Sequence, residues 1–106
     1  FFLCFGVLRD LHSFLTRRSS DLPNITEQQR NDIIVKMAER EIACNVHYKP
    51  LPMMTAYKTL GFDIEDYPNA YKHYANEITL PLHTKLSDED VAYVIENFTE
   101  ILKEYL

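Results

Sequence analysis
Four histidines, two cysteines and seven tyrosines carry most of the chemistry open to this chain of 106 residues. His47 opens the run His47-Tyr48-Lys49-Pro50-Leu51-Pro52. It falls where a short extended segment meets a Pro-stiffened loop. There an imidazole can exchange hydrogen bonds with a carbonyl, hydroxyl or phosphate near neutral pH. The plainer reading is a loop histidine bonded to a neighbouring backbone carbonyl. His83, in Leu82-His83-Thr84, follows a second extended segment. If the two segments pair antiparallel, their ends lie at opposite edges, so His47 and His83 make no shared metal site. His73 lies mid-helix beside Tyr74 and reads as an exposed or partly packed residue. Cys44 is the one candidate nucleophile, and a Cys buried in a strand is normally inert packing. The tyrosines Tyr57, Tyr67, Tyr71, Tyr74, Tyr93 and Tyr105 read as rings for core and interface packing. Asp88-Glu89-Asp90 lacks the alternating ligand spacing of a calcium loop and reads as helix capping. Phosphate-loop, dinucleotide, Ser-elbow and zinc patterns are all missing. Taken alone, the residues offer no complete catalytic constellation.

The elements that must position these groups follow from periodicity and caps. Thr26 is an N-cap with Gln29 three residues on, and the helix it opens runs to about Arg40 with Ile33, Ile34, Met37 and Ala38 on its apolar face. Ile42 to Tyr48 reads as a strand ending at the Pro50 turn. Met53 to Leu60 makes a short helix with Gly61 just past its end. Asp66 is placed to cap a further helix with Pro68 in its first turn. Ile78 to Leu82 reads as a second strand, with Pro81 at its end. Ser87 caps the last helix, whose stripe is Val91, Val94, Ile95, Phe98, Ile101, Leu102 and Tyr105. The fold class is α+β, helices packed on a small antiparallel sheet. Two strands make a poor sheet, so a third is expected upstream of Thr26.

Composition narrows the function classes. The chain is 46% hydrophobic and 25% charged, ordinary for a globular domain. Its net charge of -5 repels phosphate backbones, which disfavours nucleic acid as a partner. Two cysteines are too few for a disulfide-stapled fold. The apolar run from Phe1 to Leu8 stops at Arg9-Asp10, far short of the roughly 20 residues of a membrane span. It also lacks the basic flank and cleavage site of a signal peptide.

Residues 12–22 closely resemble the conceptual translation of a common DNA-sequencing adaptor, His-Ser-Phe-Pro-Thr-Arg-Arg-Ser-Ser-Asp-Leu. Leu15 is the one departure, where the adaptor gives Pro. On this reading residues 1–22 are a foreign extension outside the fold, and residues 23–106 carry the domain. The alternative is an amphipathic helix, because Leu8, Leu11, Phe14 and Leu15 fall at helical spacing.

A wider resemblance then covers residues 31–105. It is carried by Arg30-Asn31-Asp32, by Met37-Ala38-Glu39-Arg40-Glu41-Ile42, and by Asn45-Val46-His47-Tyr48-Lys49-Pro50-Leu51. Tyr67-Pro68-Asn69-Ala70, Asn76-Glu77-Ile78-Thr79-Leu80-Pro81-Leu82-His83 and Leu86-Ser87-Asp88-Glu89-Asp90-Val91 complete it. Together these resemble the C-terminal end of the pyridoxal-phosphate-dependent sugar aminotransferases of the DegT/DnrJ/StrS type. The resemblance implies an incomplete small domain of a fold-type-I enzyme. It implies transfer of an amino group from glutamate to a nucleotide-linked keto sugar in surface-polysaccharide or amino-sugar biosynthesis. It also implies a cytoplasmic homodimer, with no nucleic acid and no membrane as partner. The Lys that holds pyridoxal phosphate and the phosphate contacts belong to the large domain. Residues 23–106 therefore hold no catalytic and no cofactor-binding residue, and the fragment alone is expected to be inactive. His47 and Tyr48 match the family's substrate-facing loop. Two departures stand out. Many relatives have Gly where Glu41 stands, and Gly suits a left-handed helix cap. Many also have a second His where Pro52 stands. The alternatives are a free-standing interaction module and a non-catalytic offshoot of the same fold.

Overall fold
Thr26 starts the first helix through a reciprocal pair of hydrogen bonds. Its hydroxyl accepts the Gln29 backbone N–H at 3.3 Å, and Gln29 Oε1 accepts the Thr26 N–H at 2.9 Å. Two otherwise orphan donors are thereby satisfied, as a capping box requires. The computed structural model describes residues 19–22 and 24–106, the first three through their backbone alone. The amphipathic-helix alternative on Leu8 to Leu15 lies outside the described residues.

Helix α1 spans Glu27–Glu39 and buries Ile33 and Met37, four residues apart on one face. Ile34 is half-buried and Ala38 is exposed, so the apolar face is narrower than its spacing predicts. A 3₁₀ turn at Leu51–Met53 leads into the short helix α2, Thr55–Lys58. Gly61 ends that helix with φ 90, a left-handed conformation open to Gly without a Cβ penalty. Asp63, not Asp66, caps the next turn: its carboxylate accepts the Glu65 N–H at 3.1 Å, and Asp66 lies inside the 3₁₀ segment Ile64–Asp66. Helix α3, Pro68–Asn76, then begins behind Tyr67 with no side-chain cap. Pro68 in its first turn has no N–H to leave unpaired. The last helix, α4, spans Asp88–Lys103 and repeats the capping box between Ser87 and Asp90. Its stripe delivers Val94, Phe98, Ile101 and Leu102 to the core.

The fold is helix-rich, and its β component is smaller than expected. Strand β1, Ser19–Asp21, pairs antiparallel with β2, Glu77–Thr79, with Ser20 opposite Ile78. Leu22 continues this pairing by donating its N–H to the Asn76 carbonyl at 2.9 Å, and its side chain is 2% exposed in the core. Residues 19–22 thus pair with and pack against the domain assigned to residues 23–106. The strand expected over Ile42 to Tyr48 does not form. Asn45 makes one antiparallel bridge to Thr79, and the ladder stops there. The reason lies in the next donors. The Val46 N–H is taken by Asn45 Oδ1 at 2.8 Å and the His47 N–H by the Glu77 carboxylate at 2.8 Å. Side chains have replaced the backbone acceptors a strand would need.

Candidate functional site
His47 is held at its backbone and at its ring by two residues of one short strand. The Asn45–Thr79 bridge fixes the register, so that His47, two residues on, falls opposite Glu77. The His47 N–H donates to Glu77 Oε2 at 2.8 Å, and its Nδ1 lies 3.0 Å from Thr79 Oγ1. The Thr79 hydroxyl in turn donates a short hydrogen bond to Glu77 Oε1. Glu77 is 1% exposed, a costly place for a carboxylate unless its oxygens are bonded. Both are. The His47 ring stays exposed and meets Tyr48 edge-on, with centroids 4.8 Å apart. The peptide between His47 and Tyr48 is cis. Tyr48 is 79% exposed, so its ring and hydroxyl are free to meet a ligand or another surface.

The other candidates lie elsewhere. His83 accepts the Lys85 N–H at Nδ1, 3.3 Å away, and borders a cavity of about 420 Å³ with Arg40, Glu41, Pro81 and Asp90. His47 takes no part in that cavity. Among the described residues no three His, Cys, Asp or Glu side chains are gathered to hold a metal ion. Cys44 is half-buried against the core, and burial pushes its thiol up to about 11, away from nucleophilic use. Beside the His47 loop, Pro50, Leu51 and Pro52 face Tyr57, Phe62 and Tyr67 across an apolar cavity of about 440 Å³.

Three buried polar residues of consequence escape a reading based on residue type alone. Glu77 and Thr79 share one face of β2 at spacing two, on either side of the apolar Ile78. That spacing was the available signal. Arg30 is 2% exposed, lies over the Tyr74 ring at 4.7 Å and stands 3.7 Å from Glu27. The Tyr71 and Tyr74 hydroxyls both donate to that Glu27 carboxylate, at 2.9 and 3.2 Å. The Tyr71 phenol is raised by this hydrogen bond.

Comparison with known proteins decides which fold this is. The model of the DegT/DnrJ/EryC1/StrS aminotransferase family matches residues 12–99. The chain belongs to that family. The match begins inside the stretch that resembles the adaptor translation. The Bacillus subtilis spore coat polysaccharide biosynthesis protein SpsC is 36% identical over 76 residues, 70% of this chain and 20% of that protein. An uncharacterized Methanocaldococcus jannaschii protein, MJ1066, is 36% identical over 76 residues, 71% of this chain and 20% of that one. The PLP-form structure of Spr1654 from Streptococcus pneumoniae, assigned as a sugar aminotransferase, is 53% identical with a TM-score of 0.80. That likeness covers 83% of this chain and 22% of the other. The chain thus spans about a fifth of the length of these relatives.

Among the described residues, no lysine suits the covalent attachment of pyridoxal phosphate. The cofactor needs a lysine whose amine can lose its proton, which burial or a neighbouring cation provides. Lys36 is instead held charged by Glu104, which raises it far above the ordinary range. Lys49, Lys58, Lys72, Lys85 and Lys103 are exposed.

Proposed function
We propose that the complete protein is a pyridoxal-phosphate-dependent sugar aminotransferase and that this chain is part of its C-terminal small domain. The observation carrying the reading is the 53%-identical likeness to the Spr1654 structure, together with the family match. The finer reading is amino transfer from glutamate to a nucleotide-linked keto sugar. The name of the SpsC relative supports a place in polysaccharide biosynthesis. The enzyme works as a cytoplasmic homodimer on this reading, and no helix among the described residues is long and apolar enough to cross a membrane. The lysine and the phosphate contacts belong to the large domain, so this chain alone does not transaminate. Leu51, Leu60, Phe62 and Tyr67 are exposed here and would be covered by that domain and the second subunit. Residues 1–22 remain a foreign extension on this proposal, of which Ser19–Asp21 pair with β2.

Within that enzyme His47 and Tyr48 face the sugar. The Glu77 and Thr79 anchors hold the imidazole in one direction before substrate arrives, which lowers the entropic cost of orienting it. His47→Ala in the full-length protein should slow the sugar half-reaction by the equivalent of about 1–3 kcal/mol, the cost of a lost polar contact in a closed site. Single-turnover kinetics of both half-reactions test this. The glutamate half should change less. Equal slowing of both halves would mark a structural role, and no slowing would remove His47 from the site.

A further inference from the structure
Glu77 has so far only anchored the loop, yet its bonding determines which hydrogen bonds His47 can make. A carboxylate only accepts. Glu77 Oε2 receives the His47 backbone N–H and Oε1 receives the Thr79 hydroxyl. The one hydroxyl proton of Thr79 is thereby committed to Glu77. What Thr79 Oγ1 presents to His47 Nδ1, 3.0 Å away, is lone pairs. A hydrogen bond across that distance requires the proton to sit on Nδ1. In a neutral imidazole one nitrogen carries the proton and the other accepts, so Nε2 is left bare. No described residue bonds Nε2, and the ring is exposed.

We infer that Glu77, acting through Thr79, is a positioning residue that fixes neutral His47 as an outward hydrogen-bond acceptor, so that the group it takes from the substrate is a hydroxyl. A keto oxygen or a phosphate oxygen offers only lone pairs to Nε2 and gains nothing there. The relay narrows the contact to the donor groups of a sugar. The choice of a hydroxyl rests on the proposal that His47 faces the sugar; the proton position does not.

The test reads the imidazole nitrogens of the histidine-¹⁵N-labelled chain by long-range proton–nitrogen correlation, at a pH where imidazoles are neutral. The expected spectrum has His47 protonated on Nδ1 and bare on Nε2. Free histidine prefers the opposite tautomer, so Thr79→Val should return His47 to the Nε2–H form. Thr79→Ser keeps a hydroxyl and should keep the wild-type pattern. Glu77→Gln can donate to Thr79, which frees the hydroxyl proton for Nδ1, and should also shift the ring toward Nε2–H. Wild-type protein with Nε2 protonated overturns the inference, as does a folded Thr79→Val with an unchanged pattern. If Thr79→Val does not fold, the wild-type and Glu77→Gln spectra decide. The measurement needs no substrate. A failed relay is therefore a different result from a His47→Ala enzyme with unchanged half-reactions.

Discussion

The backbone N–H of Ile42 donates to the carbonyl of Met37 at 3.0 Å, and both side chains are buried, at 4% and 0% exposure. Glu41 donates to the Ala38 carbonyl at 3.0 Å within the same turn. These are the two bonds and the hydrophobic contact of a Schellman cap, and they leave Glu41 at φ 60. A left-handed residue with a Cβ costs about 1–2 kcal/mol, part of which Gly returns through its greater freedom in the unfolded chain. Glu41→Gly should therefore stabilise the chain by about 0.5–1 kcal/mol. Urea unfolding should show a higher midpoint with an unchanged slope, and Glu41→Ala, which keeps the strain, should show little change.

Leu22 tests whether its own stretch, residues 19–22, contributes to the stability of the fold. Its side chain is 2% exposed among Ile33, Ile78 and the other core residues. Truncating a buried Leu to Ala costs about 2–5 kcal/mol. Leu22→Ala should lower the urea midpoint by that equivalent. An unchanged midpoint would show that this stretch contributes nothing.

The helix caps were legible because they are local. Thr26 with Gln29 and Ser87 with Asp90 each lie three residues apart, and nothing distant competes for them. The Ile42–Tyr48 strand was not, because its outcome depends on which acceptor reaches each N–H. The Asn45 and Glu77 side chains reached them first. Burial of Arg30 was partly legible. With Ile33 and Met37 it falls at i, i+3 and i+7, on the apolar face of α1. Its charge argued against burial, and only the Tyr74 ring and Glu27 show how it is accommodated. His47 was visible as a loop residue. The Glu77–Thr79 support beneath it was not, because Glu77 sits where a helix ends and a strand begins.

Lys36 bears on cofactor chemistry. Glu104 keeps it protonated, and its ammonium lies over the Tyr105 ring at 4.8 Å. A protonated amine is no nucleophile toward an aldehyde. Pyridoxal phosphate added to the chain and trapped with borohydride should label the exposed lysines weakly and without saturation. Saturable labelling of one lysine, mapped by mass spectrometry, would contradict the assignment of the cofactor site to the large domain.

Cys44 gives a pH signature. Its thiol is pushed up to about 11 in the folded chain from 9.0. As pH rises past 9.0 the unfolded chain loses the Cys44 proton first, so it binds fewer protons than the folded chain and stability falls. The contribution is fully present below 9.0 and is lost as pH climbs to about 11. In a Cys4→Ser background, urea midpoints across that window should fall more steeply for Cys44 than for Cys44→Ala. Equal slopes would show that burial does not hold the thiol neutral.

Arg30 poses the question of what a buried cation contributes. Its Nε and Nη2 are buried without hydrogen-bond partners. Each unpaired group costs about 1–3 kcal/mol of lost hydration. Against this stand the Tyr74 ring contact, worth about 0.5–2 kcal/mol, and a charge pair at 3.7 Å, beyond hydrogen-bond reach. With two unpaired groups, the costs match or exceed the gains. Replacing the cation by an apolar chain of like length removes both, and Glu27 keeps its two tyrosine donors. Arg30→Met should therefore be neutral or stabilising, within about 1–2 kcal/mol, as for other buried ionic groups replaced by packed hydrophobes. Arg30→Ala should be clearly destabilising, because it also leaves a cavity. A loss of several kcal/mol in Arg30→Met, matching that in Arg30→Ala, would show that the charge itself holds α1 against α3.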